Sequence, residues 1–197
     1  MTSHLQPQAV CIYCASSANV SERILEDGGR IGTLLARNGL ALVYGGTTCG
    51  LMKVVADANK AAGGRVIGIV PKFMLDRGID NSHGQDETVV VPDMATRKTT
   101  MIERSGGFIV LPGGMGTLDE LFDTLVNKQL GRHAKPIVLM NTDGYYNPLI
   151  SLLEHGVECR TIRAEHMSLF SVANTPEEAI RLLAESKVDE NSLKMRG

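Results

Sequence analysis

The sequence contains no tryptophan, and aromatic residues make up only 4% of its 197 positions. Proteins that bind single-stranded nucleic acid stack the bases on aromatic side chains, so this composition argues against that class. The formal net charge is −2, and lysine and arginine are scattered along the chain rather than clustered. Because nucleic-acid binding needs a basic surface, we expect no nucleic-acid partner.

Long hydrophobic runs are also missing. No apolar stretch approaches the ~18 residues of a membrane-spanning helix, and the first residues, MTSHLQPQA, lack the charged-then-apolar layout of a secretory signal. These absences predict a cytoplasmic protein with no membrane partner. The hydrophobic fraction of 43% is enough for one core. We therefore expect a single domain over residues 1–197, with frayed tails at 1–8 and 186–197.

Cysteine and histidine are few, and neither shows the spacing of metal ligands. Cys11 and Cys14 form a CxxC pair, but they lie in the strand-like segment AVCIYCA. Positions three apart in a strand point to opposite faces, so the two thiols are poorly placed to share one ion. We expect buried, reduced cysteines, no metal site and no cofactor, with a redox or zinc pair as the alternative.

Short apolar segments alternate with amphipathic helical stretches along the chain, which predicts a parallel α/β sheet. The predicted strands are 9–15, 41–46, 65–71, 88–93, 107–114 and 135–141, and the predicted helices are 22–38, 51–62, 94–105, 117–130, 148–155 and 176–185. Thr175 and Glu178 form a capping box at the last helix. Residues 72–86 show no periodicity, and we expect a functional or mobile loop there.

Two segments share one design, an apolar strand followed by a glycine-rich bend and a helix: ALVYGGTTCGLM and FIVLPGGMGTLDELF. In a parallel sheet both bends fall at the carboxyl edge, where ligands bind. Gly45, Gly46, Gly113 and Gly114 allow close backbone approach, and each following helix presents free N–H groups, which predicts an anion site. Neither segment matches a Walker loop or a dinucleotide fingerprint. The alternative for either bend alone is a tight turn.

Acidic side chains follow the second bend. Glu120 is expected in the first turn of a helix that starts near Thr117, and Asp123 shares its face. A carboxylate next to a bound phosphate needs a reason: it either caps its own helix or stabilises positive charge that develops at a sugar carbon. Arg97 and Lys98 provide cations that could pair with an acid or an anion, although such a pair is often only a solvated helix face.

Three segments together carry a family resemblance: YGG…GLM (44–52), RKTTM (97–101) and PGGMGTLDE (112–120). They resemble the LOG, or Lonely Guy, family of cytokinin riboside 5′-monophosphate phosphoribohydrolases, often labelled lysine decarboxylases. The resemblance implies a Rossmann-like, doubly wound parallel sheet with helices on both faces, in a homodimer. It also implies hydrolysis of the N-glycosidic bond of N6-substituted adenosine 5′-monophosphates, with AMP as a further candidate substrate. The products would be the free base and ribose 5-phosphate.

The resemblance also implies roles for individual residues. The family's catalytic arginine and glutamate fall on Arg97 and Glu120. The candidate substrate-binding residues lie in the two glycine bends, the turn after the first strand and the two helices that carry the catalytic pair: Ser16, Ser17, Gly45, Gly46, Met94, Lys98, Gly113, Gly114, Met115, Gly116, Thr117 and Asp123. Within this set, the phosphate and ribose contacts fall on 113–117, and Met94 flanks the base.

The chain departs from the family pattern at several positions. Thr47 stands where the family usually has the third glycine of YGGG, and Ala15 makes the first turn CASS rather than CGSS. Ala95 replaces the histidine of MHxRK, and Asp80 is the candidate for an acid in the loop after the third strand. These changes concern base specificity more than the catalytic core. A nucleotide carrier on the same scaffold is the alternative function, and no segment suggests the pyridoxal-phosphate lysine of a decarboxylase.

Overall fold

Seven strands form one parallel sheet in the computed structural model, which describes residues 8–78 and 84–185. The strands are β1 (Ala9–Tyr13), β2 (Ala41–Tyr44), β3 (Val66–Pro71), β4 (Glu87–Val91), β5 (Gly107–Val110), β6 (Ile137–Met140) and β7 (Ser171–Ala173). Their order is β4-β3-β2-β1-β5-β6-β7, and every neighbouring pair is parallel. The winding reverses between β1 and β5, which makes that crevice the topological switch point, where ligands bind in such sheets.

Helices cover both faces of the sheet. They are α1 (Glu22–Arg37), α2 (Gly50–Ala61), α3 (Lys72–Asp76), α4 (Met94–Glu103), α5 (Met115–Gln129), α6 (Asn147–Glu158) and α7 (Pro176–Glu185). One core packs Ile12 of β1 against α1, α2 and α7, and the other packs Tyr13 of β1 against α4 and α5. All five residues of β1 are buried, as expected for a central parallel strand with helices on each side. The predicted doubly wound fold is confirmed.

The sequence pattern missed the shorter elements. β7 has only three residues, and the 3-10 stretch Ala164–Leu169 has no buried residue, so neither produces a periodic signal. The aperiodic segment begins with the five-residue helix α3 rather than with a loop. Asp80 and the predicted tails, apart from Gln8, lie outside the described residues.

The cysteine expectation is only partly correct. Cys11 and Cys14 are buried in different cores, on opposite faces of the sheet. Cys49 and Cys159 are exposed, contrary to the expectation of buried cysteines. Both are helix-cap residues, Cys49 before α2 and Cys159 after α6, and helix ends at a domain surface remain open to solvent.

The cap of α7 also differs slightly from the predicted capping box. Thr175 Oγ1 accepts a hydrogen bond from the Glu178 N–H at 3.2 Å, as predicted. The Glu178 carboxylate accepts from the Asn174 N–H at 2.8 Å, one residue before the position of an ordinary capping box. Across the described residues, no helix combines the length and the apolar character needed to cross a bilayer.

Candidate active site

The turn after β1 joins the two glycine bends at the carboxyl edge of the sheet. The Ala15 N–H donates to Pro112 O at 3.2 Å, and Ala15 O accepts from the Met52 N–H at 3.3 Å. Ser17 O accepts from the Leu51 N–H at 3.2 Å. The exits of β1, β2 and β5 therefore form one connected floor, and α2, α4 and α5 begin around it.

A buried ion pair lies on this floor. Arg97 Nη1 is 3.6 Å from Glu120 Oε1, and the two side chains are only 6% and 5% exposed. The guanidinium is held by two backbone carbonyls, because Nε donates to Ile69 O and Nη2 donates to Gly45 O, each at 3.1 Å. The structure thus brings together the two residues predicted to be catalytic, one from α4 and one from α5.

Gly45 leaves the space that Arg97 occupies. A Cβ atom at position 45 would lie 2.1 Å from Arg97 Nη2, closer than any real contact. The first glycine bend therefore accommodates the arginine rather than lying open to a ligand at that point. The sequence pattern alone could not show whether this glycine serves a tight turn or a binding loop. The structure shows that it makes room for the Arg97 side chain.

Burial is the dominant influence on Glu120 and raises its pKa to about 7. The nearby Arg97 and Lys98 lower this pKa, and Asp119 raises it, but desolvation of the carboxylate is the larger effect. A carboxyl group with this pKa can either carry negative charge or hold a proton near neutral pH. Such groups are typical of catalytic centres, where charge is tuned by burial and neighbours.

Glu120 lies two residues deeper along its helix than predicted. α5 begins at Met115, so Glu120 is its sixth residue and belongs to the second turn. The prediction of a first-turn position was wrong because Met115 and Gly116 join the helix, although glycine is a poor helix former. The simple helix-capping explanation for this carboxylate is correspondingly weakened, since capping acts at the first turn.

The N-terminus of α5 faces open space. Gly114 is the N-cap residue, and no side chain caps the helix. A Cβ atom at Gly114 or Gly116 would meet nothing within 4 Å, and the Met115 side chain is 85% exposed. A Cβ atom at Gly113, in contrast, would lie 2.1 Å from Thr117 Oγ1. Free N–H groups and the positive end of the helix dipole therefore face a surface that an anion can reach.

The remaining predicted residues lie at the rim. Lys98 Nζ contacts Asp119 Oδ1 at 2.9 Å, and Met94 Sδ is 3.8 Å from Arg97 Nη1. Ser16 and Ser17 are exposed on the turn after β1. These positions border the floor.

Asp123 is placed differently from the other predicted residues. It lines a cleft of about 430 Å³ between α4 and α5, together with Ala95, Lys98, Thr99, Ile102, Glu103, Asn127, Arg132 and His133. Its side chain therefore faces this outer cleft, whereas Glu120 faces the ion pair. Lys98 lies between the cleft and the ion pair, because it lines the cleft and is close enough to Glu120 to lower the pKa of that carboxyl group.

Two residues at the site were not predicted. Gln85 Nε2 donates to Tyr44 Oη at 2.9 Å and to Gly46 O at 2.8 Å, which fixes the first bend. Tyr145 Oη donates to Gly113 O at 2.5 Å. Gln85 lies in the aperiodic segment, and Tyr145 lies between the predicted strand 135–141 and the predicted helix 148–155, where no sequence pattern pointed to a functional residue. Within the described ranges, no group of three or more potential ligand side chains could hold a metal ion.

The chain forms a doubly wound α/β sheet of the Rossmann-like class, with an uncapped helix N-terminus and a buried arginine–glutamate pair beside the switch point, where proteins of this class bind ligands. The family model described as "Possible lysine decarboxylase" matches residues 52–183. The chain belongs to this family, the LOG family, and the predicted resemblance is confirmed.

Named relatives support this membership over most of the chain. A cytokinin riboside 5′-monophosphate phosphoribohydrolase from Arabidopsis thaliana is 38% identical over 88% of this chain and 76% of its own length. One from Mycobacterium tuberculosis is 38% identical over 90% of this chain and 94% of its own length. Both alignments extend well beyond the three motifs.

Solved structures confirm the fold. The molybdenum cofactor binding protein from Rippkaea orientalis superposes with a TM-score of 0.68 at 23% identity, covering 90% of this chain and 96% of that one. The molybdenum cofactor carrier protein from Chlamydomonas reinhardtii gives 0.67 at 23% identity, covering 90% and 98%. At this identity the likeness concerns the architecture alone.

Proposed function

We propose that this protein hydrolyses the N-glycosidic bond of N6-substituted adenosine 5′-monophosphates, and also that of AMP, to give the free base and ribose 5-phosphate. The observation that carries the proposal is the buried Arg97–Glu120 pair beside the uncapped start of α5. A protein that only binds phosphate has little use for a carboxylate there. Relatives at 38% identity that are named as phosphoribohydrolases of this kind support the same conclusion.

In this proposal the N–H groups of residues 113–117 bind the 5′-phosphate, and the ribose extends toward Glu120. As the bond between the anomeric carbon and the base nitrogen breaks, the bonding electrons leave with the base and positive charge develops on the ribose ring. The Glu120 carboxylate stabilises that charge and orients a water molecule. The water oxygen then bonds to the anomeric carbon, and its proton balances the charge on the departing base.

Arg97 acts through its position in the same proposal. Its guanidinium is fixed by Ile69 O and Gly45 O, so the remaining nitrogen, Nη1, faces Glu120 from a defined direction. That arrangement orients the carboxylate and leaves a positive group beside the departing base. Met94 and Lys98, at the rim beside Arg97, flank the base.

Incubating the protein with AMP, with N6-prenylated AMP and with adenosine, followed by chromatography, tests the proposal. We expect free base and ribose 5-phosphate from the two monophosphates. Adenosine should lose turnover as well as affinity, because phosphate binding energy helps to drive the reaction at the far end of the ribose. Equal kcat/KM for adenosine and AMP would remove the anion site from the mechanism.

A nucleotide carrier built on the same scaffold is the alternative, and the same experiment separates the two. A carrier would bind the monophosphates and return them unchanged. The Glu120→Gln variant provides the control, since a carrier should tolerate the loss of this charge or bind phosphate more tightly. Binding without products in the wild-type protein would favour the carrier.

We also propose that the protein is a homodimer. α5 and its C-cap residue expose three apolar side chains at four-residue spacing, Phe122, Val126 and Leu130, with 38%, 47% and 52% of each accessible. α6 has no buried residue, and its Leu152 is 63% exposed. Apolar side chains repeated along one helix face are typical of a surface that another subunit covers.

A further inference from the structure

The loop after β6 contacts the glycine bend of residues 112–114 in a way that the proposed function does not use. Tyr145 Oη donates a hydrogen bond to Gly113 O at 2.5 Å. The next residue, Tyr146, donates to Leu111 O at 2.8 Å. Two adjacent tyrosines of one loop therefore hold two backbone carbonyls of the segment that leads into α5.

This loop is itself fixed to the rest of the fold. Thr142 Oγ1 donates to the buried Asp27 carboxylate of α1 at 2.7 Å. Asn141 Oδ1 accepts from the Tyr146 N–H at 2.8 Å, which closes the turn on itself. The loop that carries the Tyr145 hydroxyl is therefore fixed by hydrogen bonds.

Burial does not account for the place of Tyr145. Its side chain is 43% exposed, whereas Tyr146 is 1% exposed and packs in the core. The two rings meet edge to face with centroids 5.0 Å apart, which orients the Tyr145 ring without covering it. The specific interaction that remains is the bond from its hydroxyl to Gly113 O.

The peptide unit between Gly113 and Gly114 needs such an anchor. Glycine has more backbone freedom than any other residue. Because the residues on both sides of this peptide are glycines, no Cβ atom restricts the rotation of the peptide plane. In a trans peptide the C=O of one residue and the N–H of the next point in opposite directions. Holding Gly113 O toward Tyr145 therefore turns the Gly114 N–H toward the side away from Tyr145. A Cβ atom at Gly114 would meet nothing within 4 Å, so this residue borders open space.

We infer that Tyr145 is a positioning residue that orients the Gly113–Gly114 peptide so that its N–H, and not its carbonyl, faces a bound phosphate. The inference rests on the proposed function, because that function places the phosphate at residues 113–117. If the peptide rotated, a carbonyl oxygen would face the anion and repel it. The hydroxyl of Tyr145 holds that oxygen away.

The test measures binding directly rather than turnover. Calorimetric titration with ribose 5-phosphate and, separately, with adenine compares the wild-type protein with Tyr145→Phe and Tyr146→Phe. Tyr145→Phe removes one hydroxyl and should weaken ribose 5-phosphate binding about tenfold, the loss expected for one hydrogen bond. Adenine binding should stay unchanged. Tyr146→Phe loses a bond to the same segment but outside the peptide in question, so it should lower Tm and leave ribose 5-phosphate affinity near that of the wild type.

Three results would overturn the inference. They are unchanged ribose 5-phosphate binding by Tyr145→Phe, an equal loss for adenine, and an equal loss of ribose 5-phosphate binding in Tyr146→Phe, which would indicate general loosening of the bend. In each of these the wild-type protein still binds ribose 5-phosphate, so the proposed function stands. If the wild-type protein does not bind ribose 5-phosphate, the proposed function fails and the role of Tyr145 fails with it.

Discussion

At the scale of single residues, the Arg97–Glu120 pair combines burial with opposite charge. Each side chain is about nineteen-twentieths covered, so neither charge is solvated by bulk water. Arg97 compensates through two backbone carbonyls, whereas the largest influence on Glu120 is the loss of solvent. Removing one member of a buried pair leaves the other poorly compensated, so the two residues should act as a unit.

Substituting Glu120 tests the mechanism most directly. We predict that Glu120→Gln, which keeps the shape and removes the charge, lowers kcat by roughly 10²-fold or more, as for the loss of one aimed electrostatic group. Binding of the monophosphate should weaken far less, because the start of α5 is untouched. Arg97→Ala should also lower kcat, and the double variant should be little worse than the poorer single one. Near wild-type turnover by a folded Glu120→Gln protein would contradict this mechanism.

The pH dependence of kcat/KM follows from the pKa of Glu120 in the ligand-free protein, which burial raises to about 7. If the carboxylate is the active form, kcat/KM should rise as pH increases through about 7 and then level off. The second ionisation of the substrate phosphate lies lower, near 6, and should be distinguishable. Steady-state assays from pH 5.5 to 9 check this expectation. A limb of the profile near 7 that persists in Glu120→Gln would assign it to another group.

The contribution of Glu120 to stability should depend on pH in the opposite sense to activity. A carboxyl whose pKa is higher in the folded than in the unfolded state is still protonated in the fold at pH values where the unfolded chain has already released its proton. The contribution of Glu120 to stability therefore falls as pH rises from about 4.5 to about 7 and is constant above that range. We predict that the Tm of the wild-type protein, relative to that of Glu120→Gln, decreases between pH 5 and pH 8. A difference that is independent of pH would contradict the raised pKa.

At the scale of elements, the site depends on how strands end and helices begin. The two glycine bends have similar sequences, but their glycines make room for different groups. Gly45 makes room for Arg97, whereas Gly113 packs against Thr117 and leaves the N-terminus of α5 open. The structural evidence for an anion therefore concerns the second bend.

Two glycine-to-alanine variants distinguish an effect of the second bend on substrate binding from an effect on the stability of the protein. The Cβ of Gly113→Ala would lie 2.1 Å from Thr117 Oγ1, so the bend must shift. We predict that KM for AMP rises by at least about tenfold, the effect of losing one or more charge-assisted hydrogen bonds. Gly29→Ala in α1 is the control, because its Cβ meets only Val54 Cγ1, at an ordinary 3.6 Å. That change should stabilise the helix by about 0.5–1 kcal/mol and leave KM unaltered.

How much of this could be predicted from the sequence depends on element length and on distance along the chain. The long helices and the apolar strands have clear periodicity, and both glycine-rich bends follow parallel strands at the carboxyl edge of the sheet, as predicted. Gln85 carries no local signal, because its partners Tyr44 and Gly46 lie about forty residues earlier. The cleft that Asp123 lines could not be predicted, because helix spacing fixes which face a residue occupies relative to Glu120, but not which surface that face meets.

At the scale of the whole molecule, two neighbouring helices on one side of the sheet leave much apolar surface uncovered. α5 contributes its inner face to the core through Leu121 and Leu125, while its outer face carries exposed apolar groups. α6 has no buried residue. A second subunit covering these helices would remove apolar surface from water, which is the main favourable term in association.

The homodimer proposal therefore predicts that one charged residue introduced on the outer face of α5 dissociates the dimer. Val126 is 47% exposed on the outer face of α5, four residues from Phe122 and four from the C-cap residue Leu130. Val126→Glu should shift the protein toward monomer in light scattering at micromolar concentration, because an unpaired carboxylate in an apolar interface is strongly unfavourable. Val90→Glu on the edge strand β4 is the matched control, since Val90 is similarly exposed at 52% but lies on the far side of the sheet order. If the wild-type protein is an active monomer, or if both variants dissociate equally, this surface is not the dimer interface.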